Sequence, residues 1–368
     1  MGNMPVRAWN FSAGPANLPL PVIEEAREHL LALPGAGASI LEISHRSAAF
    51  AAVIEEAEAN LRHLLAIPAS HRVLFLQGGA SLQFSMVPMN LLRGATTQAG
   101  YVITGSWGTR ALAEARREGP VHVVWDGGAD GYRATPDLAE LDLEASAPYV
   151  HVTSNETIQG VEYPSGFEPV TGPPLVSDAS SDFLSRPVDV ARYAVLYAGA
   201  QKNAGPAGLT IAIVGDDALE RVPDGLPTML DLRTYAEHGS LYNTPPVFAI
   251  YVLTLVTRWL RDEVGGLEAM AERNREKASL LYEEIDASDG FYRGHAEPGS
   301  RSMMNVTFRL PDEALEAAFL EAAGERDLLE LRGHRSVGGI RASIYNAMPL
   351  EGVRALRELM ASFRAANT

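Results

Sequence analysis

The chain has 368 residues, 46% of them hydrophobic and 21% charged, which is the balance of a globular protein with room for two domains. Its net charge of −16 disfavours nucleic acid and anionic membranes as partners, and no apolar run is long enough to span a bilayer. Cysteine is absent, which excludes disulfides, thiolate metal sites and cysteine nucleophiles; no secretory apolar region opens the chain, so a cytoplasmic location is expected.

In chain order, the turn-rich stretch Asn10-Phe11-Ser12-Ala13-Gly14-Pro15-Ala16 leads into a helical pattern over Pro21–Leu33. A second helix is predicted over Ala48–Leu65. The short apolar run Arg72–Leu76 reads as a buried strand, and Gly78-Gly79-Ala80-Ser81 then opens a helix to Leu92. Strand-like runs recur at Gly100–Thr104, Val121–Trp125, Pro148–Val152, Pro174–Val176, Tyr193–Tyr197 and Thr210–Val214. Their alternation with helical or loop segments predicts an α/β fold around a mostly parallel sheet. Beyond Pro246 the pattern changes to long helices over Val247–Val264 and Leu267–Ile285. Strands near Met303–Phe308 and Gly339–Ser343 follow, with helices over Asp312–Ala323 and Leu350–Ala366. We therefore expect a large domain over residues 16–265 and a smaller α+β domain over 266–368, with residues 1–15 packing on the latter.

Lys202 and Lys277 are the two lysines of the chain. Lys202 follows the apolar run Tyr193–Gln201 and precedes the tight turn Asn203–Gly208. A lysine so placed is partly desolvated, which lowers its pKa and frees a neutral amine to attack a carbonyl. Lys277 lies in Glu272-Arg273-Asn274-Arg275-Glu276-Lys277, which reads as a solvated helix face. Asp178 ends a strand, where a carboxylate points into the ligand crevice of an α/β fold; it reads equally well as the N-cap of a helix beginning at Ala179. Gly78–Ser81 offers backbone N–H groups at a helix start, a phosphate-binding geometry, although Gly-Gly is common in such turns. It is not a dinucleotide fingerprint, and no P-loop pattern occurs. Trp107, in Thr104-Gly105-Ser106-Trp107-Gly108, suits either ring stacking or core packing. His45-Arg46 and His334-Arg335, with Arg341 nearby, suit an anion site in an acidic chain. His63, His71, His122 and His151 show no metal-ligand spacing, and no metal site is expected.

Taken together, Asn10–Pro15, Ile43–Ser47, Gln77–Ser81, Thr104–Trp107, Asn155–Ile158, Ala200–Asn203, Tyr242–Pro246 and Gly338–Ala347 resemble the phosphoserine aminotransferases. These are class-V aminotransferases that use pyridoxal 5′-phosphate (PLP). The resemblance runs in order through nearly the whole chain, and the combination is specific where each piece is not. It implies a PLP enzyme of fold type I, working as a homodimer with active sites at the subunit interface. Lys202 would be the Schiff-base lysine, Asp178 the partner of the pyridine nitrogen, Trp107 the stacking ring and Thr157 the partner of the ring's phenolic oxygen. Ala80, Ser81 and Gln201 would hold the cofactor phosphate, joined by Asn243 and Thr244 from the other subunit. His45 and Arg341 would bind the substrate α-carboxylate. Arg46, with His334 and Arg335 from the other subunit, would bind the substrate phosphate.

The implied reaction interconverts O-phospho-L-serine plus 2-oxoglutarate with 3-phosphooxypyruvate plus L-glutamate. One Arg/His cluster would take both the phosphate and the γ-carboxylate, and phosphothreonine-like substrates of pyridoxine biosynthesis fit the same description. Some members of the family carry an arginine at the position of Ser81, so phosphate binding here would rest on fewer cations. Among rivals, a desulfurase of the same fold needs a cysteine that this chain lacks. An aminotransferase for uncharged side chains would not need both His-Arg pairs. A non-catalytic anion-binding protein of the same fold would bind no PLP.

Overall fold

The computed structural model describes residues 7–169 and 171–368; the first six residues of the N-terminal segment lie outside them. The described chain opens with a two-residue strand, β1 (Trp9–Asn10), and continues into helices α1 (Leu20–His29) and α2 (Ala48–Leu64). The sequence pattern carries α1 on to Leu33, but the helix stops at His29. Pro34 disfavours helical backbone at the residue before it, and Gly35 and Gly37 turn the chain with φ of 78° and 68°.

A seven-stranded sheet forms the centre. Its strands are β2 (His71–Leu76), β3 (Ala99–Ile103), β4 (Val121–Asp126), β5 (Val150–Thr153), β8 (Leu175–Asp178), β9 (Tyr193–Gly199) and β10 (Thr210–Gly215), with β6 (Asn155–Glu156) and β7 (Val161–Glu162) forming a separate small ribbon. Spatial order is β2-β10-β9-β8-β5-β3-β4. Strand β10 runs antiparallel to both neighbours, and every other pair is parallel. The expectation of an α/β fold with a mostly parallel sheet is met.

Both faces of the sheet are covered, which is why its strands read as continuous apolar runs. Along β2, Val73 and Phe75 pack into one cluster with Phe50 and Leu61 of α2 and with Ile250 and Leu253 of α7 (Val247–Trp259). The alternate residues Leu74 and Leu76 pack into another, with Phe84 of α3 (Gly79–Leu91) and Leu112 of α4 (Ser106–Ala115). Two short helices, α5 (Asp216–Glu220) and α6 (Leu232–Glu237), follow the last strand of the sheet. Beyond Trp259 the predicted long helix continues as one π-helical turn, Leu260–Val264, and ends at Gly265 with φ of 92°.

A third cluster gathers the C-terminal elements. Strands β11 (Arg293–Gly294), β12 (Asn305–Arg309) and β14 (Ile340–Ser343) form an antiparallel sheet, packed with α8 (Leu267–Asp286), α9 (Glu313–Gly324) and α10 (Leu350–Asn367). Phe11 is fully buried in this cluster, and β1 pairs in parallel with β13 (Leu328–Leu329). Among the described residues no helix is long and apolar enough to cross a membrane.

One sequence expectation fails here. Lys277 is not on a solvated face: it is 2% exposed, and its Nζ donates to the carbonyls of Ile344 at 2.8 Å and Tyr345 at 2.7 Å. The buried stripe of α8 runs through Met270, Asn274, Lys277, Ala278, Leu281 and Ile285. Its helical period places Lys277 inward, against the indication of its charged neighbours in sequence.

Candidate active site

A cavity of about 240 Å³ lies at the C-terminal ends of the parallel strands, where open α/β sheets bind ligands. Five chain segments converge on it. After β2 come Gly78 to Ser81; after β3, Trp107; after β5, Asn155 and Thr157; at the end of β8, Asp178 with Ser180 and Ser181; after β9, Gln201 and Lys202. Seven residues singled out from the sequence thus share one small space: Ala80, Ser81, Trp107, Thr157, Asp178, Gln201 and Lys202.

The Lys202 amine donates to Thr157 Oγ1 at 2.6 Å and lies 5.9 Å from the centre of the Trp107 ring. Burial lowers its pKa to about 8, against the upward pull of Asp178 and Glu156 and helped by the nearby charge of Arg341. A neutral amine is therefore accessible near physiological pH, as expected from its setting. The N-terminal turn closes over this lysine. A Cβ on Gly14 would stand 3.4 Å from Lys202 Cγ, and the Ala16 N–H donates to Gln201 O at 2.9 Å.

Asp178 is 4% exposed, and its Oδ1 accepts the Ser180 N–H at 3.0 Å. No helix starts at Ala179, where the chain instead forms a series of turns. The N-cap alternative for Asp178 therefore falls. Burial pushes this carboxyl above its ordinary pKa, and the Ser180 hydrogen bonds and the Lys202 charge pull it back. Behind it, the Tyr197 hydroxyl lies 2.9 Å from His151 Nε2. Burial holds His151 down to about 3, so it is a neutral core histidine.

At the opposite wall, Gly78 caps α3 with φ of 88°, and no side chain caps the helix start. A Cβ on Gly78 would lie 2.6 Å from the Leu82 side chain. Helix geometry leaves the N–H groups of Gly79, Ala80 and Ser81 without intrahelical acceptors, aimed at the cavity as a ready anion site. The remaining walls suit a flat, charged aromatic group. The indole of Trp107 has a buried Nε1 without a hydrogen-bond partner among the described residues, and Asp178 offers a buried anion. These residues fit PLP: an amine for its aldehyde, a carboxylate for its ring nitrogen, an indole face for its ring and helix N–H groups for its phosphate.

Other candidates lie outside these walls. His334 is half-buried, and burial lowers its pKa, as do the charges of Arg341, Arg335 and Arg110. One chain thus assembles a positive cluster, with Arg341 also in electrostatic reach of Lys202. Arg110 was not singled out from the sequence; it sits one helical turn after Trp107, its guanidinium 4.6 Å from the ring centre. That i, i+3 spacing is the signal that could have found it. His45 and Arg46 occupy the turn before α2, Arg46 exposed and His45 with a buried Nε2 lacking a partner among the described residues. Asn243 and Thr244 belong to the segment before α7, where Gln77 Nε2 donates to Thr244 O at 3.5 Å. None of these four lines the Lys202 cavity of its own chain. The sequence reading also missed Asn155, Ser180 and Ser181 as wall residues.

Comparison with known proteins agrees with this geometry. The family model for aminotransferase class-V matches residues 8–356. The phosphoserine aminotransferase of Rhodopirellula baltica is 51% identical over 364 residues, covering 99% of this chain and 97% of the relative. That of Laribacter hongkongensis is 55% identical over 355 residues, covering 96% and 98%. The solved phosphoserine aminotransferase from Bacillus circulans subsp. alkalophilus matches with a TM-score of 0.95 at 49% identity, covering 98% of this chain and 99% of that one. A PLP-bound phosphoserine aminotransferase from Trichomonas vaginalis matches with a TM-score of 0.89 at 39% identity, covering 96% and 100%. With its strand ends, its buried amine and a family match over nearly its whole length, the chain belongs to the aminotransferase class-V family.

Proposed function

We propose that the chain is a PLP-dependent phosphoserine aminotransferase of fold type I. It interconverts O-phospho-L-serine plus 2-oxoglutarate with 3-phosphooxypyruvate plus L-glutamate, in serine biosynthesis and with a further use in pyridoxine biosynthesis. One observation carries the reading: six residues from five segments surround a single amine, that of Lys202, with a pKa lowered to about 8.

When bound, PLP supplies an aldehyde for the amino group and a protonated ring that accepts the electron pair left at the substrate α-carbon. The protein's own residues do the rest. Lys202 Nζ would hold the cofactor and, once freed, would carry the α-proton from the substrate α-carbon to the cofactor as general base and then general acid. In the return half it delivers a proton to the α-carbon of the keto acid. Asp178 keeps the ring nitrogen protonated. Thr157 orients the ring oxygen beside Lys202, and Trp107 stacks on the ring. Ala80, Ser81 and Gln201 hold the phosphate, with the partner subunit's Asn243 and the partner subunit's Thr244. His45 and Arg341 take the α-carboxylate. Arg46, with the partner subunit's His334 and the partner subunit's Arg335, takes the substrate phosphate or the γ-carboxylate. The working form in this reading is a cytoplasmic homodimer, each subunit divided into domains at residues 16–265 and 266–368.

The test is chemical. Borohydride reduction of the PLP-loaded protein followed by mass spectrometry should find a pyridoxyl group on Lys202. Phosphoserine added before reduction should bleach the cofactor band, and Lys202→Ala should abolish adduct and turnover together. Folded, PLP-supplied protein without that adduct would overturn the proposal.

A further inference from the structure

Between the end of β5 and the turn at Gly160, side chains point alternately in two directions. Asn155 and Thr157 reach the Lys202 cavity, while Glu156 and Gln159 reach the N-terminus of α4. That helix has no cap of its own, because its N-cap residue is Gly105. Gln159 Oε1 accepts the Ser106 N–H at 3.3 Å, and Gln159 Nε2 donates to Ser106 Oγ at 2.8 Å. Glu156 takes the next two donors with separate oxygens: Oε2 accepts the Trp107 N–H at 3.0 Å and Oε1 the Gly108 N–H at 2.8 Å. Gly105 makes this approach possible, since a Cβ there would lie 2.5 Å from Glu156 Cδ.

An amide could cap a helix at lower desolvation cost than a buried carboxylate. It has only one acceptor oxygen, however, and its NH2 group would face one of the two donors, so it could not take the two N–H groups with separate oxygens as the carboxylate does. The two-point grip matters because of what lies on it. The Trp107 indole nitrogen has no hydrogen-bond partner among the described residues, so the ring plane is set by backbone placement and by packing, which includes the Arg110 guanidinium and Phe84. Glu156 is fully buried. Burial raises its pKa to about 7; the two N–H groups and the Lys202 charge oppose that rise, and the Asp178 charge adds to it. Tyr163 also faces it, its own hydroxyl pushed up by burial and by the Glu156 charge.

Resting on the reading of this cavity as a PLP site, we propose that Glu156 is a positioning residue: by gripping two consecutive backbone N–H groups of α4, it fixes the Trp107 ring in the plane that stacks on the cofactor. Nothing in the sequence pattern assigns it this role, since Thr157 next to it carries the expected contact.

The test uses PLP-loaded protein, and three variants separate positioning from capping. Glu156→Gln should keep the borohydride-trapped adduct on Lys202 yet change the visible circular dichroism of the bound cofactor. It should also weaken cofactor binding by about two- to tenfold, the range that ring-stacking geometry carries. Gln159→Ala removes the neighbouring Ser106 contacts of the same helix end and should leave the cofactor band unchanged. Equal spectral changes in both variants, or none in Glu156→Gln, would reduce Glu156 to a cap. Should Glu156→Gln not fold, Gly105→Ala displaces the carboxylate without removing it and should alter the band in the same way; an unaltered band there overturns the proposal. Absence of the Lys202 adduct in the unaltered protein would sink the PLP reading instead, so the two failures are distinct.

Discussion

Asp178 shows how much one side chain depends on its surroundings. In sequence it suits a helix cap as well as a ligand. In the fold it is a buried carboxylate whose Oδ1 takes the Ser180 N–H and whose charge is the largest influence raising the pKa of Lys202. Removing that charge should hurt chemistry far more than folding. Asp178→Asn is expected to lower kcat by about two to three powers of ten, comparable with loss of about 2.7–4 kcal/mol from a preorganised electrostatic contact. Steady-state kinetics on PLP-loaded protein would check this, and a loss below tenfold would leave Asp178 only its turn with Ser180. Lys202 was legible because an apolar strand and small residues surround it in sequence. Glu156 was not, because its partners at residues 107 and 108 are reached only across the sheet.

At the scale of elements, strands and helix interiors were readable and helix ends less so. Apolar runs revealed the six parallel strands, most clearly the inner ones, where burial on both faces removes polar alternation; the edge strand β4 is only partly buried. The antiparallel course of β10 left no trace in composition, since it is as buried as its neighbours. Helix α2 starts where expected, and its start is a physical device. Ser47 Oγ accepts the Phe50 N–H at 3.2 Å, directly after the His45-Arg46 turn. Ser47→Ala should lower stability by about 1 kcal/mol, the usual worth of such a cap. Urea unfolding would measure it, and an unshifted midpoint would mean that the Ser44 contacts to Arg46 and Ser47 hold this turn unaided.

At the scale of the whole molecule, Lys277 ties the C-terminal elements to the site. Its two acceptors, the carbonyls of Ile344 and Tyr345, precede Asn346. The Asn346 N–H donates to Asn203 Oδ1 at 3.0 Å, beside Lys202, and its Nδ2 donates to Leu184 O at 2.8 Å. Burial lowers the Lys277 pKa from 10.5 to about 7. Between those values the unfolded chain holds a proton that the folded chain lacks, so this residue makes stability rise with pH, by at most about 1.4 kcal/mol per unit. The unfolding free energy of the unaltered protein should therefore gain on that of Lys277→Met by at most about 3 kcal/mol from pH 7 to pH 9. A constant difference would show the amine charged throughout; Lys202 is common to both proteins and cancels. Sequence by itself determined the chemical inventory and its order: one desolvated lysine, a strand-end carboxylate, a glycine-rich helix start and two His-Arg pairs, each encoded by adjacent residues. Tertiary structure alone decided that five separate strand ends share one cavity, that Glu156 grips α4 and that Lys277 points inward. Those outcomes depend on packing between segments far apart in the chain, and local sequence carries no record of which partner a side chain will meet.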